Sequence, residues 1–215
     1  MKIAVCGAPT VGKTRFVDNF VKKWPMYKRN RIGAEKDLLL PTSRDDISKL
    51  DKLHDMFVDS AMFYTGKCDV IHDGCLIDSM AHIYMFFAMH KDAKDSVMQK
   101  WLALSRTAIQ FYDIIFYISF NNKINQENDT TELEEGEFLY YTGLDNIYRA
   151  LFNVYCAGQD AAIFPFDSKD GCPPIIEIAG NDDERIKLAS LYINDDGSAY
   201  GKEESLITDF LSGKA

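Results

Sequence analysis

Cysteine is sparse and unpatterned in this chain, and basic residues are outnumbered. The five cysteines (Cys6, Cys68, Cys75, Cys156, Cys172) are odd in number and show no CxxC spacing. No histidine cluster joins them, so neither a disulfide framework nor a zinc site is implied, and the expected compartment is reducing and cytoplasmic. Lysine and arginine total 24 against 33 acidic residues, for a net charge of −9 and a pI near 4.9. That balance argues against a broad nucleic-acid or anionic-membrane footprint, which needs a basic surface. Nucleic acid is left only a local basic pocket, Lys22, Lys23, Lys28, Arg29 and Arg31. Long apolar runs are missing as well. Ile3 to Cys6 is too short for a signal-peptide core, and no segment approaches a membrane-spanning length, so no membrane partner is expected.

What is present suits one α/β domain over 1–215, with 47% hydrophobic and 13% aromatic residues to fill a core. Lys2 to Cys6 reads as a buried strand running into GAPTVGKT. A helix follows with Phe16, Val17, Phe20 and Val21 on one face, ending near Trp24-Pro25. A weak strand is expected around Arg31 to Ala34. From Ser43 to Gly66 the spacing of Ile47, Leu50, Leu53, Phe57, Ala61 and Tyr64 predicts a helix. Asp69 to Asp73 reads as a strand ending in an acid. Helices are predicted over 77–90, apolar nearly all round, and over 92–110; Tyr112 to Phe120 has the composition of a strand. The polar, acidic stretch 121–137 reads as a mobile loop. A helix at 143–157 follows, then short strands at Ala161 to Phe164 and Ile175 to Ala179. Asn181 and Glu184 have the spacing of a capping box opening a helix to about Ile193, and a tail helix is expected near 205–211. Strands alternating with helices imply a parallel sheet covered on both faces.

Gly7-Ala8-Pro9-Thr10-Val11-Gly12-Lys13-Thr14 fits GxxxxGK[ST] in full. Glycines let the backbone turn so that its N–H groups point into an anion-sized hollow at a helix start. In such a loop Lys13 reaches the β- and γ-phosphates of ATP, and the Thr14 hydroxyl ligates Mg²⁺. A phosphate site also needs an acid, to orient Mg²⁺ and its waters or to take a proton from the acceptor. Asp73, at the carboxyl end of a strand, is best placed for it, and Asp78 is second. Each also has a plain structural reading, as a turn cap or a helix cap.

These stretches resemble the P-loop kinase group, and within it phage and bacterial nucleoside or nucleotide kinase-like proteins. Besides the loop, VIHDGCLIDSMAHIYMF is similar to a strand–acid–turn pattern, and IIEIAGNDDERI to a last strand and turn packed near the adenine. The resemblance implies a three-layer P-loop NTPase fold with about five parallel strands in the order 2-3-1-4-5 and a lid-like loop at 121–137. It implies ATP and Mg²⁺ as cofactors, with Gly7 to Thr14 and Arg15 on the nucleotide, and Gly180, Asn181 and Arg185 near its base. Lys13, Asp73, Asp78 and Arg106 would be catalytic, and Thr14 with Asp73 would hold the metal. The pattern's arginine after the acid is Gly74 here, and the lid-like stretch offers only Lys123; Arg106, Arg149 or Arg44 are the candidate substitutes.

Asn122-Lys123-Ile124-Asn125 departs from a guanine-reading NKxD in its last residue and reads as a solvated loop. The histidines lack ligand spacing, and Tyr84, Phe86 and Phe87 read as core before nucleobase platform. The expected function is phosphoryl transfer from Mg-ATP to a nucleoside or nucleotide. The alternatives are a kinase of a modified base in DNA and an ATP-dependent switch without transfer. Monomer and homodimer are both compatible with the helices at 43–65 and 143–157.

Overall fold

The computed structural model describes residues 1–31, 47–63, 69–89, 95–119, 135–156 and 173–200. Along them run β1 (Lys2–Cys6), α1 (Lys13–Lys23), β2 (Lys28–Arg31), α2 (Ile47–Phe63), β3 (Val70–Asp73) and α3 (Leu76–Met89). Then come α4 (Asp95–Ile109), β4 (Ile114–Ile118), α5 (Glu135–Cys156), β5 (Ile175–Ile178) and α6 (Asp182–Ala189). The five strands form one sheet in the order β2-β3-β1-β4-β5, with every pairing parallel. The expected order 2-3-1-4-5 is therefore the observed one.

β1 is the centre of this sheet, which is why IAVC is apolar without alternation: it has a strand on each side and a helical layer on each face. α1 packs with α6, while α2, α3, α4 and α5 pack among themselves, giving helix, sheet and helix layers. Phe16, Val17 and Phe20 of α1 are buried, and Phe16 meets Phe116 of β4 edge-on at 5.8 Å. α3 is buried on most sides, from Leu76 through Ile83 and at Phe86, as its all-round apolar sequence requires. After α6, the chain from 190 to 200 clips to the end of α1. The Trp24 indole donates to the Asn194 carbonyl at 2.8 Å, and the Tyr27 hydroxyl to that of Gly197 at 2.5 Å.

Boundaries differ from expectation in four places. β2 is Lys28–Arg31, three residues earlier than the weak strand expected at 31–34. β4 spans only Ile114–Ile118. α5 begins at Glu135, inside the stretch read as loop, since acidic residues suit a helix's first turn through the dipole. α6 ends at Ala189, and Ile193 instead bridges to Ala199. The expected strand at 161–164, the tail helix at 205–211 and the lid-like stretch 120–134 lie outside the described residues, as do Arg44 and His90. Among the described residues no helix is long and apolar enough to cross a membrane.

Candidate functional site

The site forms where β1, β3 and β4 end side by side. Register places Val5 beside Asp73 and Cys6 beside Tyr117, so the loop after β1 leaves the sheet between two carboxyl strand ends. Gly7 has φ +148°, and a Cβ there would lie 2.4 Å from the Ile118 carbonyl oxygen. Only glycine lets the loop pass so close to β4. Gly12, at φ +86°, turns the chain into α1 as its N-cap.

Between these glycines the backbone presents donors. Among the described residues, the N–H groups of Thr10, Val11, Gly12, Lys13 and Thr14 have no protein acceptor. Thr10 stands at φ +68°, an uncommon conformation for a β-branched residue, and its hydroxyl oxygen is buried without a partner. Unpaired donors around a buried hydroxyl at a helix start are what a polyanion needs. The Lys13 ammonium closes this row, donating to the carbonyls of Gly7 and, at 3.1 Å, Ala8, and lying 3.5 Å from Asp78 Oδ1.

Asp73 ends β3 and is 8% exposed. Its Oδ2 accepts from the Thr14 hydroxyl at 2.8 Å and from Arg29 Nη2 at 2.8 Å, while Oδ1 has no protein donor among the described residues. Arg29 comes from β2, one strand away, and its Nη1 also donates to Asp18. Thr14 and Asp73 thus stand together. The cation beside them is Arg29, not an arginine of the turn after the acid.

Asp78 sits in the first turn of α3 and is nearly saturated. Oδ1 accepts from Gly7 N at 3.2 Å and from the Tyr148 hydroxyl at 2.6 Å, and Oδ2 from Cys75 N at 2.6 Å. Behind the loop, α6 presses against its far side. Arg185, 4% exposed, donates from Nη1 to the Val11 carbonyl at 2.9 Å, and a Cβ on Gly12 would lie 3.0 Å from that nitrogen. Burial lowers the Arg185 pKa, and the nearby Asp182 opposes this. Arg15 pairs with the same Asp182. Gly180 has φ +95°, and Asn181 caps α6 in the expected box, its side chain accepting from Glu184 N at 3.0 Å.

Of the predicted residues, then, Gly7 to Arg15, Asp73, Asp78, Gly180, Asn181 and Arg185 converge on one end of the sheet. Arg106 is placed apart from these in the chain's elements, on α4. It lies in the last turn of that helix, where its charge acts on Tyr84. Arg149 is held by Asp145 at 2.7 Å. Two members of the site lacked a decisive sequence signal. In the sequence Arg29 belongs to a basic cluster, and Tyr148 lies in the helix expected at 143–157. Among the described residues no group of three or more His, Cys, Asp or Glu could hold a metal. Thr14 with Asp73 fits Mg²⁺, which takes one or two protein ligands and completes its shell with phosphate oxygens and water.

No family model and no curated protein matches the sequence. Its fold does match solved structures. Deoxyadenosine kinase from M. mycoides with bound dATP is 15% identical at a TM-score of 0.58, the match covering 88% of this chain and 96% of that one. The same enzyme with products dCMP and a flexible dCDP is 14% identical at 0.57 over 100% of both chains. With bound dCTP it is 17% identical at 0.55, over 88% and 96%. The parallel five-stranded sheet flanked by helices is thus the fold that this chain shares with deoxyadenosine kinase.

Proposed function

We propose that the chain is an ATP-dependent phosphotransferase whose acceptor is a nucleoside or nucleotide. The observation that carries this reading is the row of unpaired amides from Thr10 to Thr14, with the Lys13 ammonium at one end and the Thr14–Asp73 pair at the other. The amides and Lys13 bind the triphosphate, exchanging protein carbonyls for phosphate oxygens at the lysine. Thr14 and Asp73 hold Mg²⁺, which when bound neutralises charge building on the phosphate oxygens. Asp73 Oδ1, clear of protein donors among the described residues, orients the acceptor or takes its proton. Arg185 holds the loop from behind through the Val11 carbonyl, and Gly180 and Asn181 bring the turn toward the base. The nucleoside kinase fold supports a small nucleoside-type acceptor.

A second reading, an ATP-dependent switch without transfer, is favoured by the Arg29 bond on Asp73, which partly commits that carboxylate. Radiolabelled Mg·ATP with a panel of deoxynucleosides and their monophosphates separates the two. Label on an acceptor supports the kinase; hydrolysis with no labelled acceptor across the panel removes it. Lys13→Ala should greatly weaken thermal stabilisation by Mg·ATP, leaving binding only at millimolar nucleotide, and an undiminished shift in that variant would show the site to be misplaced.

A further inference from the structure

The Asp78 carboxylate lies within reach of the lysine that the proposed reaction needs, yet it sits too deep to be solvated. It is 6% exposed, and what surrounds it is protein. Oδ2 is fixed by Cys75 N at 2.6 Å. Oδ1 has a long bond from Gly7 N at 3.2 Å, a short one from the Tyr148 hydroxyl at 2.6 Å, and the Lys13 ammonium at 3.5 Å. A buried anion must be compensated by whatever donors remain. When Lys13 turns to a phosphate, the donors left on Oδ1 are the Gly7 amide and Tyr148, and Tyr148 makes the shorter bond.

We propose that Tyr148 is a positioning residue for nucleotide binding: its hydroxyl stabilises Asp78 so that Lys13 is released to the phosphates. This rests on the reading of Gly7–Thr14 as the ATP site. Without the phenol, Oδ1 keeps one long amide bond, and the carboxylate holds the ammonium more tightly. Lysine then leaves its anion at a greater loss, and nucleotide binding weakens through Lys13 rather than through the loop's shape.

The phenol is built for this. It is buried, and burial first, then the Asp78 charge, pushes its pKa well above 10, so it stays a donor. Its ring stacks on Tyr117 with centroids 5.8 Å apart and planes at 18°. Tyr117 in turn donates to Asp145 at 3.0 Å, one turn of α5 before Tyr148. The hydroxyl is therefore aimed by β4 and α5 together. Through it α5, on the opposite side of the sheet from α6, is tied to the loop's first residue and its lysine.

A double-mutant cycle tests this by equilibrium dialysis of Mg·ATP, read as affinity rather than transfer. Tyr148→Phe should weaken ATP binding by about tenfold in the wild-type background, the size of a lost hydrogen bond to a charged group. In the Lys13→Ala background, followed at millimolar nucleotide, the same change should have no further effect. No loss in the wild-type background overturns the proposal. An equal loss in both backgrounds also overturns it, since a packing defect would not depend on the lysine. Should Tyr148→Phe fail to fold, 3-fluorotyrosine at position 148 keeps the shape and donates more strongly. It should tighten ATP binding only where Lys13 is present, and an unchanged affinity overturns the idea. Absence of ATP binding by the wild type removes the site reading and this inference together. Wild-type binding with no labelled acceptor removes the kinase alone.

Discussion

Gly7→Ala puts the loop geometry under the most direct test. The alanine methyl would stand 2.4 Å from the Ile118 carbonyl oxygen and 3.1 Å from Val11 Cγ2, at a φ of +148°. Neither neighbour yields easily. Ile118 is wholly buried backbone of β4, and Val11 is 1% exposed in the loop itself. An L-residue held at such a φ costs roughly 1–3 kcal/mol. Overpacking against a core strand adds about 1–3 kcal/mol more. The expected loss is therefore about 4 kcal/mol, or roughly 8–16 °C in Tm for a domain of this size.

Urea unfolding followed by tryptophan fluorescence measures this, with Gly136→Ala as the control. Nothing lies within 4 Å of a Cβ built at Gly136, which sits exposed in the first turn of α5, so the control should be neutral or more stable by up to about 1 kcal/mol. Mg·ATP should also cease to stabilise the Gly7 variant, because its loop can no longer keep the amides converged. If Gly7→Ala folds within about 1 kcal/mol of wild type and still gains stability from Mg·ATP, the tight passage between β1 and β4 is not what shapes the site.

Two further outcomes follow from the buried polar groups. His54 and His72 have pKa values pushed down to about 4, and His82 to about 3, in each case first by burial. Their folded values lie below the ordinary 6.5, so their contribution is present in full above that pH and is lost as pH falls toward 4 and 3. The slope approaches about 1.4 kcal/mol per pH unit for each histidine; equal urea midpoints at about pH 7 and about pH 5 would contradict it. Arg29→Met should cost about 1–2 kcal/mol, discounted for the partial exposure of the guanidinium, by leaving Asp73 with Thr14 alone. Combined with Asp73→Asn the losses should fall short of additive, and additivity would mean that the pair is not coupled.

The amino-acid pattern made one end of this molecule readable and left the other end dark. A buried run, two glycines at fixed spacing and an amphipathic helix leave the chain little choice, so β1, the loop and α1 lie as expected. The capping box of Asn181 and Glu184 was legible for the same reason: both partners lie within three residues. β2 was harder. KRNR carries no apolar signal because an edge strand needs only backbone pairing with β3, and the apolar Ile-Gly-Ala that follows drew the expected strand three residues too late. Arg29 meets Asp73 across 44 residues and Tyr148 meets Asp78 across 70, contacts that local spacing cannot contain. The pattern offers Arg106, Arg149 and Arg44 in place of the arginine missing after the acid, whereas the sheet sets Arg29 of the adjacent strand beside Asp73.

Asp73 and Asp78 show why identity and position alone do not assign roles. They are five residues apart, both buried, and both near the loop. Asp78 has its oxygens occupied by two amides, a phenol and an ammonium nearby, so a proton or a metal ion arriving there must displace a protein donor. Asp73 concentrates both protein bonds on Oδ2 and leaves Oδ1 open among the described residues, beside the hydroxyl that would share its metal ion. A group that changes partners during a reaction needs an unoccupied lone pair; one that holds a loop in place needs all of them engaged. On the proposed reading, chemistry therefore belongs to Asp73 and positioning to Asp78. Asp73→Asn should then lower transfer far more than ATP affinity, while Asp78→Asn should disturb ATP affinity and stability together. Kinetics and dialysis on the two variants decide it, and the reverse pattern would exchange the roles.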